Sequence, residues 1–542
     1  MNTNPYLSLW EEQNTNKLIK ELYWYYYGHG YKSILLNHLT KKILQPLILS
    51  ISLLLISFNI EYIELIYIIY LISIGLIIHS LYGLYSSYKL INKINRQNKI
   101  YNYILNITEE QLQTANFSEI VEKILNINNN IFDKEELNEL DIARIITLKD
   151  NYILGMINNG NLDKYLSVHK PLITYITIKW FNIILDYCGL FNNNDQSVKT
   201  NVIFSVSADE KIKIINKIKK RLRLIGLGML IFMPIIIIGY LLTIIFTYAE
   251  RIRNNPQFLS ARQWTQLALY KFRDYNELPH EFKRRINKSY KSSNRYINYF
   301  DTHWICILSE FAIFVLGAIF FILLIMTFTN EEASYVLMLG IIGTIIALIR
   351  STQPNEHKVY SYSDTMQEIV SNIHYLPNSW INMAHSPIVY KQFKKLFAYQ
   401  IYNWFDELLS LLLCPYIFGI NMANNTDKFV TFIQNNTITC EKIGYVYKLT
   451  LFENEDDYDE IESTEDTRKL QMSIINFRQN YPTSNRLFSK SESINMKDHL
   501  TKTFTEFNET NSDIVDDIEK MNDTFTDIVD DLGKLIEESE ES

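Results

Sequence analysis

Asp274, Glu277 and His280 fall in one charged stretch, LYKFRDYNELPHEFKRRINKSY (Leu269–Tyr290), and are the nearest approach in the chain to a reactive constellation. Two carboxylates and an imidazole at this spacing could pass protons or share a cation. The stretch reads, however, as an amphipathic cytosolic helix on which the three side chains form a solvated ion-pair face. Elsewhere the sequence offers no nucleophile triad, no phosphate-cradling glycine loop and no metal-ligand cluster. Cys188, Cys306, Cys414 and Cys440 are scattered, without pairing or zinc spacing. These residue types point away from an enzyme and from any cofactor or metal, and nothing suggests nucleic acid as a partner.

The elements that must position this stretch are membrane segments. It lies between two of the most apolar runs in the chain, Ile225–Tyr248 and Trp304–Phe328. Among the 542 residues, four Ile- and Leu-rich blocks approach or exceed the length needed for a helix to span hydrocarbon, which is roughly 20 residues for about 30 Å. Gly and Pro are scarce, at 16 and 11, so the remainder should also be helical. The expected fold class is therefore an all-α polytopic membrane protein. The net charge of −8 is an average over basic flanks and an acidic end after residue 453. Met1–Gly30 is polar and aromatic and does not read as a cleavable signal peptide.

Charge sets the topology. The apolar run from Ile43 to Leu84 is interrupted by Asn59, Glu61 and Glu64, predicting a hairpin of helices at 43–60 and 65–84. Its turn has no Lys or Arg, whereas Lys41 and Lys42 precede it and Lys89, Lys93 and Arg96 follow. The positive-inside rule places both feet in the cytosol. A second hairpin, Trp304–Phe328 and Tyr335–Ile349, turns through Asn330–Ser334 and has basic residues only outside its ends. Residues 251–303 are thereby cytosolic.

Ile225–Tyr248 is uncharged for 24 residues and long enough to span. Pro234 near its middle and basic flanks on both sides favour instead a re-entrant hairpin over 222–250, with Pro234 at the tip. Leu408–Ile420 is too short to cross and contains Pro415. It reads as a second re-entrant segment near 407–420 with Pro415 at its tip, or as a buried core helix. Residues 1–42, with the cluster Tyr23–Tyr27, suit an interfacial helix. Residues 85–221 and 351–452 read as cytosolic helices, with Ile120, Ile124, Ile127 and Ile131 at helical spacing and a turn near Pro377.

Six ordered stretches resemble the autophagy-related protein 9 family. They are YWYYYGHGYKSILL (Tyr23–Leu36), KEELNELDIARI with NYILGMINNG (Lys134–Gly160), FTYAERIRNNPQFLSARQW leading into the NELPH stretch, NIHYLPNSWINMAHS (Asn372–Ser386), FDELLSLLLCPYIF (Phe405–Phe418) and MSIINFRQNYP (Met472–Pro482). Asn276-Glu277-Leu278-Pro279-His280 is the most specific of them and is expected to be a structural junction with a helix restarting near Pro279.

The resemblance implies a homotrimer with four spans and two re-entrant segments per protomer. It also implies ATP-independent phospholipid scrambling in Golgi- and endosome-derived vesicles that seed the autophagosome, beside a bridge-like lipid-transfer protein, with both termini cytosolic. The family's polar cavity includes a charged run that corresponds here to Arg253-Asn254-Asn255-Pro256, less charged than the family pattern. Arg253, Asn254, Asn255, Thr344 and Arg350 are the lipid-pathway candidates it implies, since Arg and amide groups can hold a phosphate at the membrane edge. For Arg253 and Arg350, plain membrane anchoring is the competing role. The first luminal loop is short, and the long terminal extensions expected of the family are reduced.

Residues 453–542 read as an acidic linker and a heptad helix. Tyr458 and Ile461, in acidic context, resemble a peptide that adds as a strand to ubiquitin-like autophagy modifiers, though such short patterns are common by chance. From Phe504 to Leu535 an a/d seam with Asn511 at an a position predicts a coiled coil, or a helix docking on its own protein. The rival function is a non-scrambling membrane scaffold that recruits autophagy partners. A channel or transporter is weaker, because no intramembrane carboxylate is evident.

Overall fold

The computed structural model describes residues 10, 14–130, 137–158, 173–191, 198–199, 208–254, 258, 261–300, 303–329, 333–351, 361–452 and 465–481. Helix dominates. Among the described residues, five helices are long and apolar enough to cross a membrane: Gly30–Ser57, Ile66–Tyr103, Asp209–Ile252, Ile307–Phe328 and Gln400–Met422, with Tyr335–Arg350 shorter.

The chain opens with α1 (Thr15–Tyr27). Next, α2 (Gly30–Leu39) runs without interruption through a π-helical turn, Thr40–Leu44, into α3 (Gln45–Ser57). A short turn leads to α4 (Ile63–Tyr103), which packs along α3. The expected hairpin is there, but both arms outlast their apolar runs. At 41 residues, α4 extends about 60 Å, twice the hydrocarbon thickness, and it ends inside a packed core with Ile94, Ile100 and Tyr101 buried. Hydropathy marks where lipid ends, not where backbone hydrogen bonding does. Serines tie the arms together: Ser50 Oγ donates to the Ser73 carbonyl at 3.1 Å and Ser80 Oγ to that of Ile43 at 3.3 Å.

Next come α5 (Glu109–Thr114), α6 (Phe117–Asn130), α7 (Glu139–Asn158) and α8 (Tyr175–Cys188). The interfacial reading of residues 1–42 needs correcting. α1 packs on α7 and buries Leu18, Ile19, Leu22, Tyr23 and Tyr25, and Tyr101 Oη donates to the Leu22 carbonyl at 2.9 Å. Its aromatics fill a protein core, because Tyr satisfies its hydroxyl there as well as it would at a headgroup.

The re-entrant tip at Pro234 is also overturned. α9 (Ala208–Asn254) is one helix of 47 residues with Pro234 inside it. Proline removes a single backbone donor, and helical turns on both sides can carry the chain through with at most a bend. Pro415 is no tip either: it lies within α16 (Gln400–Tyr416), which continues as a π-helix over Ile417–Met422. α9 packs against both.

Between them lie β1 (Arg262–Trp264), α10 (Gln266–Phe272), α11 (Pro279–Asn298), α12 (His303–Thr329), α13 (Ala333–Ser351), α14 (Tyr362–Ile373), α15 (Pro387–Leu396) and β2 (Phe397–Tyr399). α12 and α13 pack along each other as the second hairpin. β1 pairs antiparallel with β2, Gln263 opposite Ala398. After α17 (Thr426–Asn435), β3 (Thr437–Cys440) pairs with β4 (Gly444–Tyr447). The two ribbons qualify the all-α expectation. Last comes α18 (Glu465–Asn480). This segment is not linker, since Met472 and Ile475 are buried in a core with Trp264, Phe272, Trp380 and Phe393. Tyr458, Ile461 and the heptads lie outside the described residues.

Candidate functional site

Two polar arrangements stand out, one between apolar helices and one where α10 leads into α11. The first is the seam where α9 and α16 run antiparallel. Gly226 meets Gly419, and a Cβ on Gly226 would stand 2.5 Å from the Gly419 Cα, so glycine at both positions sets the closeness of the crossing. Farther along, Tyr240 Oη donates to a Glu407 carboxylate oxygen, and the Tyr248 ring lies 4.9 Å from that of Trp404. Ser410, one turn beyond Glu407, shares a 2.6 Å hydroxyl bond with Thr174. An acid between two apolar helices is the feature that sequence reading found missing. The pattern FDELL held the signal, but it stood at the edge of an apolar patch taken to start at Leu408.

The second arrangement is the elbow Arg273–Leu278 between α10 and α11. Asn276 has φ +59°, a left-handed conformation that Asn tolerates better than most side-chain-bearing residues. Its amide donates to the Thr450 carbonyl at 2.9 Å and accepts from Asn151 at 3.1 Å, while its own N–H donates to Asn151 Oδ1 at 3.2 Å. α11 starts at Pro279, whose fixed φ suits a first helical position, and Glu281 accepts the Leu278 N–H at 3.3 Å.

The elbow's charges are interior. Asp274 and Glu277 are 0% and 4% exposed, which overturns the solvated ion-pair face. Arg285 grips Glu277 with two bonds of 2.7 Å and lies 3.6 Å from Asp274. His374 Nδ1 stands 2.5 Å from Asp274 Oδ2, and Asn476 donates to both carboxylates at 3.0 and 3.1 Å. Burial alone would raise the Asp274 carboxyl, but His374, Arg285 and Lys469 together outweigh it and hold it at about 2. Burial and the Glu277 charge push Glu281 up to about 7. His280 is separate from these carboxylates, its ring close to those of Tyr23, Tyr26 and Phe117 with Tyr23 Oη 3.1 Å away. Burial and Arg284 depress it to about 4, so it is neutral at physiological pH. With its carboxylates held by Arg285, His374 and Asn476, this network cross-links α11, the residue after α14 and α18.

The family model described as autophagy protein ATG9 matches residues 9–453. The chain belongs to this family. It is 31% identical over 412 residues to autophagy-related protein 9 of Dictyostelium discoideum, covering 70% of this chain and 57% of that one. Against the Schizosaccharomyces pombe protein it is 28% identical over 406 residues, covering 70% and 56%. The chain thus spans somewhat over half the length of these curated relatives. The cryo-EM structure of S. pombe Atg9 superposes with a TM-score of 0.63 at 26% identity, over 81% of this chain and 100% of that chain. Family and apolar helices together make this an integral membrane protein of autophagy.

Four of the six stretches that carry the ATG9 resemblance meet at the elbow, through Asn151, Asn276, His374 and Asn476, and a fifth reaches His280 in the first turn of α11 through Tyr23. Their spacing in sequence gave no sign of this. The sixth, Phe405–Phe418, supplies the α16 side of the seam with α9. Four of the five lipid-pathway candidates lie on two helices, α9 and α13. Arg253 and Asn254 end α9, where Asn254 is exposed and its amide donates to Glu250 at 3.4 Å. Thr344 donates to the Ile341 carbonyl of its own helix α13 at 2.6 Å, and Arg350 is exposed at the last turn of that helix. Asn255 lies outside the described residues.

Proposed function

We propose that this chain is an ATP-independent phospholipid scramblase that moves lipids between leaflets during autophagosome membrane expansion, acting as a homotrimer. The observation that carries the proposal is the Tyr240–Glu407 pair between α9 and α16. A headgroup cannot cross bare hydrocarbon, and a carboxylate among apolar helices costs about 2.5–3.5 kcal/mol on insertion scales. A scaffold has no use for that cost, whereas a polar seam does. In this reading the two hairpins span, with cytosolic feet. α9 and α16 enter the bilayer obliquely as an antiparallel pair without crossing, since both ends of α9 lead into soluble cores: Leu222 is buried at one end and Trp264 just past the other. Arg253, Asn254 and Arg350 then receive headgroups at the rim. The proposed setting is Golgi- and endosome-derived vesicles, with a bridge-like lipid-transfer protein as partner and Tyr458 and Ile461 as a docking motif for a ubiquitin-like modifier.

Reconstitution tests it. In liposomes carrying fluorescent phospholipid, dithionite should bleach well beyond the outer-leaflet half when the protein is present, without ATP. Glu407→Gln and Tyr240→Phe should slow the second half of the loss. A plateau at half in wild-type vesicles would leave the scaffold reading standing.

A further inference from the structure

We propose that the exposed face of α9 carrying Lys213, Lys217, Lys220 and Arg223 binds the headgroups of anionic phospholipid. All four side chains are exposed. Beyond Lys213, Lys217 and Lys220, the same alternating steps of four and three lead to Leu224, Leu227 and Ile231, so the six form one stripe along the helix. Those three apolar side chains are 61%, 56% and 64% exposed on the single chain. The opposite face is packed: Ile215, Ile218, Leu222 and Met229 are buried, and Gly226 meets Gly419 of the neighbouring helix. The helix cannot turn the stripe inward without losing that packing.

The stripe therefore passes from ammonium to alkyl on a surface whose rotation is fixed. Along the axis, Lys220 stands roughly 6 Å and Lys213 roughly 16 Å from Leu224. A headgroup layer is about 5–7 Å deep. With Leu224 against hydrocarbon, Arg223 and Lys220 fall within that layer, and the long stem of Lys217 can reach it from the next turn. Asp209 and Glu210, exposed in the first turn of α9, lie at the outer end and offset Lys213 more than Lys220. A soluble acidic partner would touch only that outer end. A phospholipid matches both halves: its anionic oxygens meet the cations, and its acyl chains meet Leu224, Leu227 and Ile231. At the other end of α9, exposed Arg251 is preceded by exposed Glu250, so cations there are fewer and partly offset. Keeping a segment on the cytosolic side needs only a number of cations, whereas a stripe in register with exposed leucines makes a local surface. The inference rests on α9 meeting lipid, not on scrambling.

The test uses the full chain in nanodiscs holding equal parts of phosphatidylserine and phosphatidylcholine, with native mass spectrometry counting the lipids each particle retains. Wild type should retain phosphatidylserine in excess, and the excess should shrink as salt rises. Lys217→Gln combined with Lys220→Gln and Arg223→Gln should melt like wild type, since all three positions are exposed. It should nevertheless lower the excess by about fivefold or more, fivefold being the effect of one cation at a membrane surface. Lys217→Arg with Lys220→Arg keeps the charge and should keep the excess. Lys391→Gln with Lys394→Gln and Lys395→Gln, exposed on α15, removes as much charge elsewhere and should leave the excess unchanged. Equal retention of the two lipids by wild type, an excess that survives the glutamine variant of α9, or an equal fall in the α15 variant overturns the proposal. So does loss of the excess in the arginine variant. The dithionite assay reads scrambling separately, so either idea can fail alone.

Discussion

Glu281, in the first turn of α11 beside the elbow, carries a clear pH signature. Its carboxyl titrates at about 7 in the folded protein, against about 4.3 in an unfolded chain. Folding therefore favours its protonated form. That contribution is full below about pH 4 and is lost as pH rises through about 7. Glu281→Gln should remove the loss, so that between about pH 5 and 8 the variant declines less in stability than wild type, by on the order of 1–3 kcal/mol. Parallel melting curves across that range would refute the assignment. Asp274 works in the opposite sense. Held at about 2, it contributes stability above its unfolded value of about 3.9 and loses it as pH falls toward 2. Asn276 tests the elbow's geometry. Asn276→Ala forfeits the bonds to Thr450 and Asn151 and leaves an ordinary side chain at φ +59°, at a cost of about 2–4 kcal/mol. Asn276→Gly should recover the backbone share. Thermal gel filtration reads both. Normal stability with lost lipid transfer would turn the elbow from a junction into a working site.

Among the elements, the crossing of α9 with α16 is the most exposed to a single substitution. Gly226→Val would drive a side chain into the Gly419 backbone and the Pro415 carbonyl, 3.0 Å from even the first added carbon. Neither is the flexible end of a side chain, so the helices must separate. The expected result is a destabilisation of about 1–3 kcal/mol together with slower scrambling, since Tyr240 would be drawn from Glu407. Gly228→Ala is the control: nothing lies within 4 Å of its added carbon, and it should be neutral or slightly stabilising. Equal behaviour of the two variants would show that the close approach does not matter. The prolines teach a related point. Pro234 and Pro415 predict local weakness in a helix, and whether the chain turns there depends on what packs beside it. α9 lies against α16 and its π-helical continuation from Gly226 to Tyr248, across Pro234, and both helices are continuous there.

For the whole molecule, the second hairpin leaves large apolar side chains such as Phe311, Phe314 and Phe321 exposed on the single chain. Such surface must meet lipid or other copies. A homotrimer is expected, and native mass spectrometry from nanodiscs should find three chains per particle; one or two would sink the trimer. If the elbow organises assembly, Asn276→Ala should lower the trimer fraction before it changes lipid transfer in the trimers that remain.

The sequence by itself determined the membrane character, the first hairpin's turn, the helical character of the segments outside the apolar runs and the family. Each of these is written locally or linearly, in hydropathy, in Lys and Arg flanks, in helical spacing or in ordered motifs. It also placed the helix start at Pro279. Only the tertiary structure decided that Asp274 and Glu277 are buried, that Tyr23 and Tyr25 face a core and that α9 passes through Pro234. It likewise put residues 465–480 inside the fold, although composition had assigned them to a linker. The reason is common to all four. Whether a charge is solvated or paired, and whether a proline bends or reverses a chain, depends on partners a hundred or more residues away, such as His374 on Asp274 or α16 on α9. No local pattern encodes such a partner.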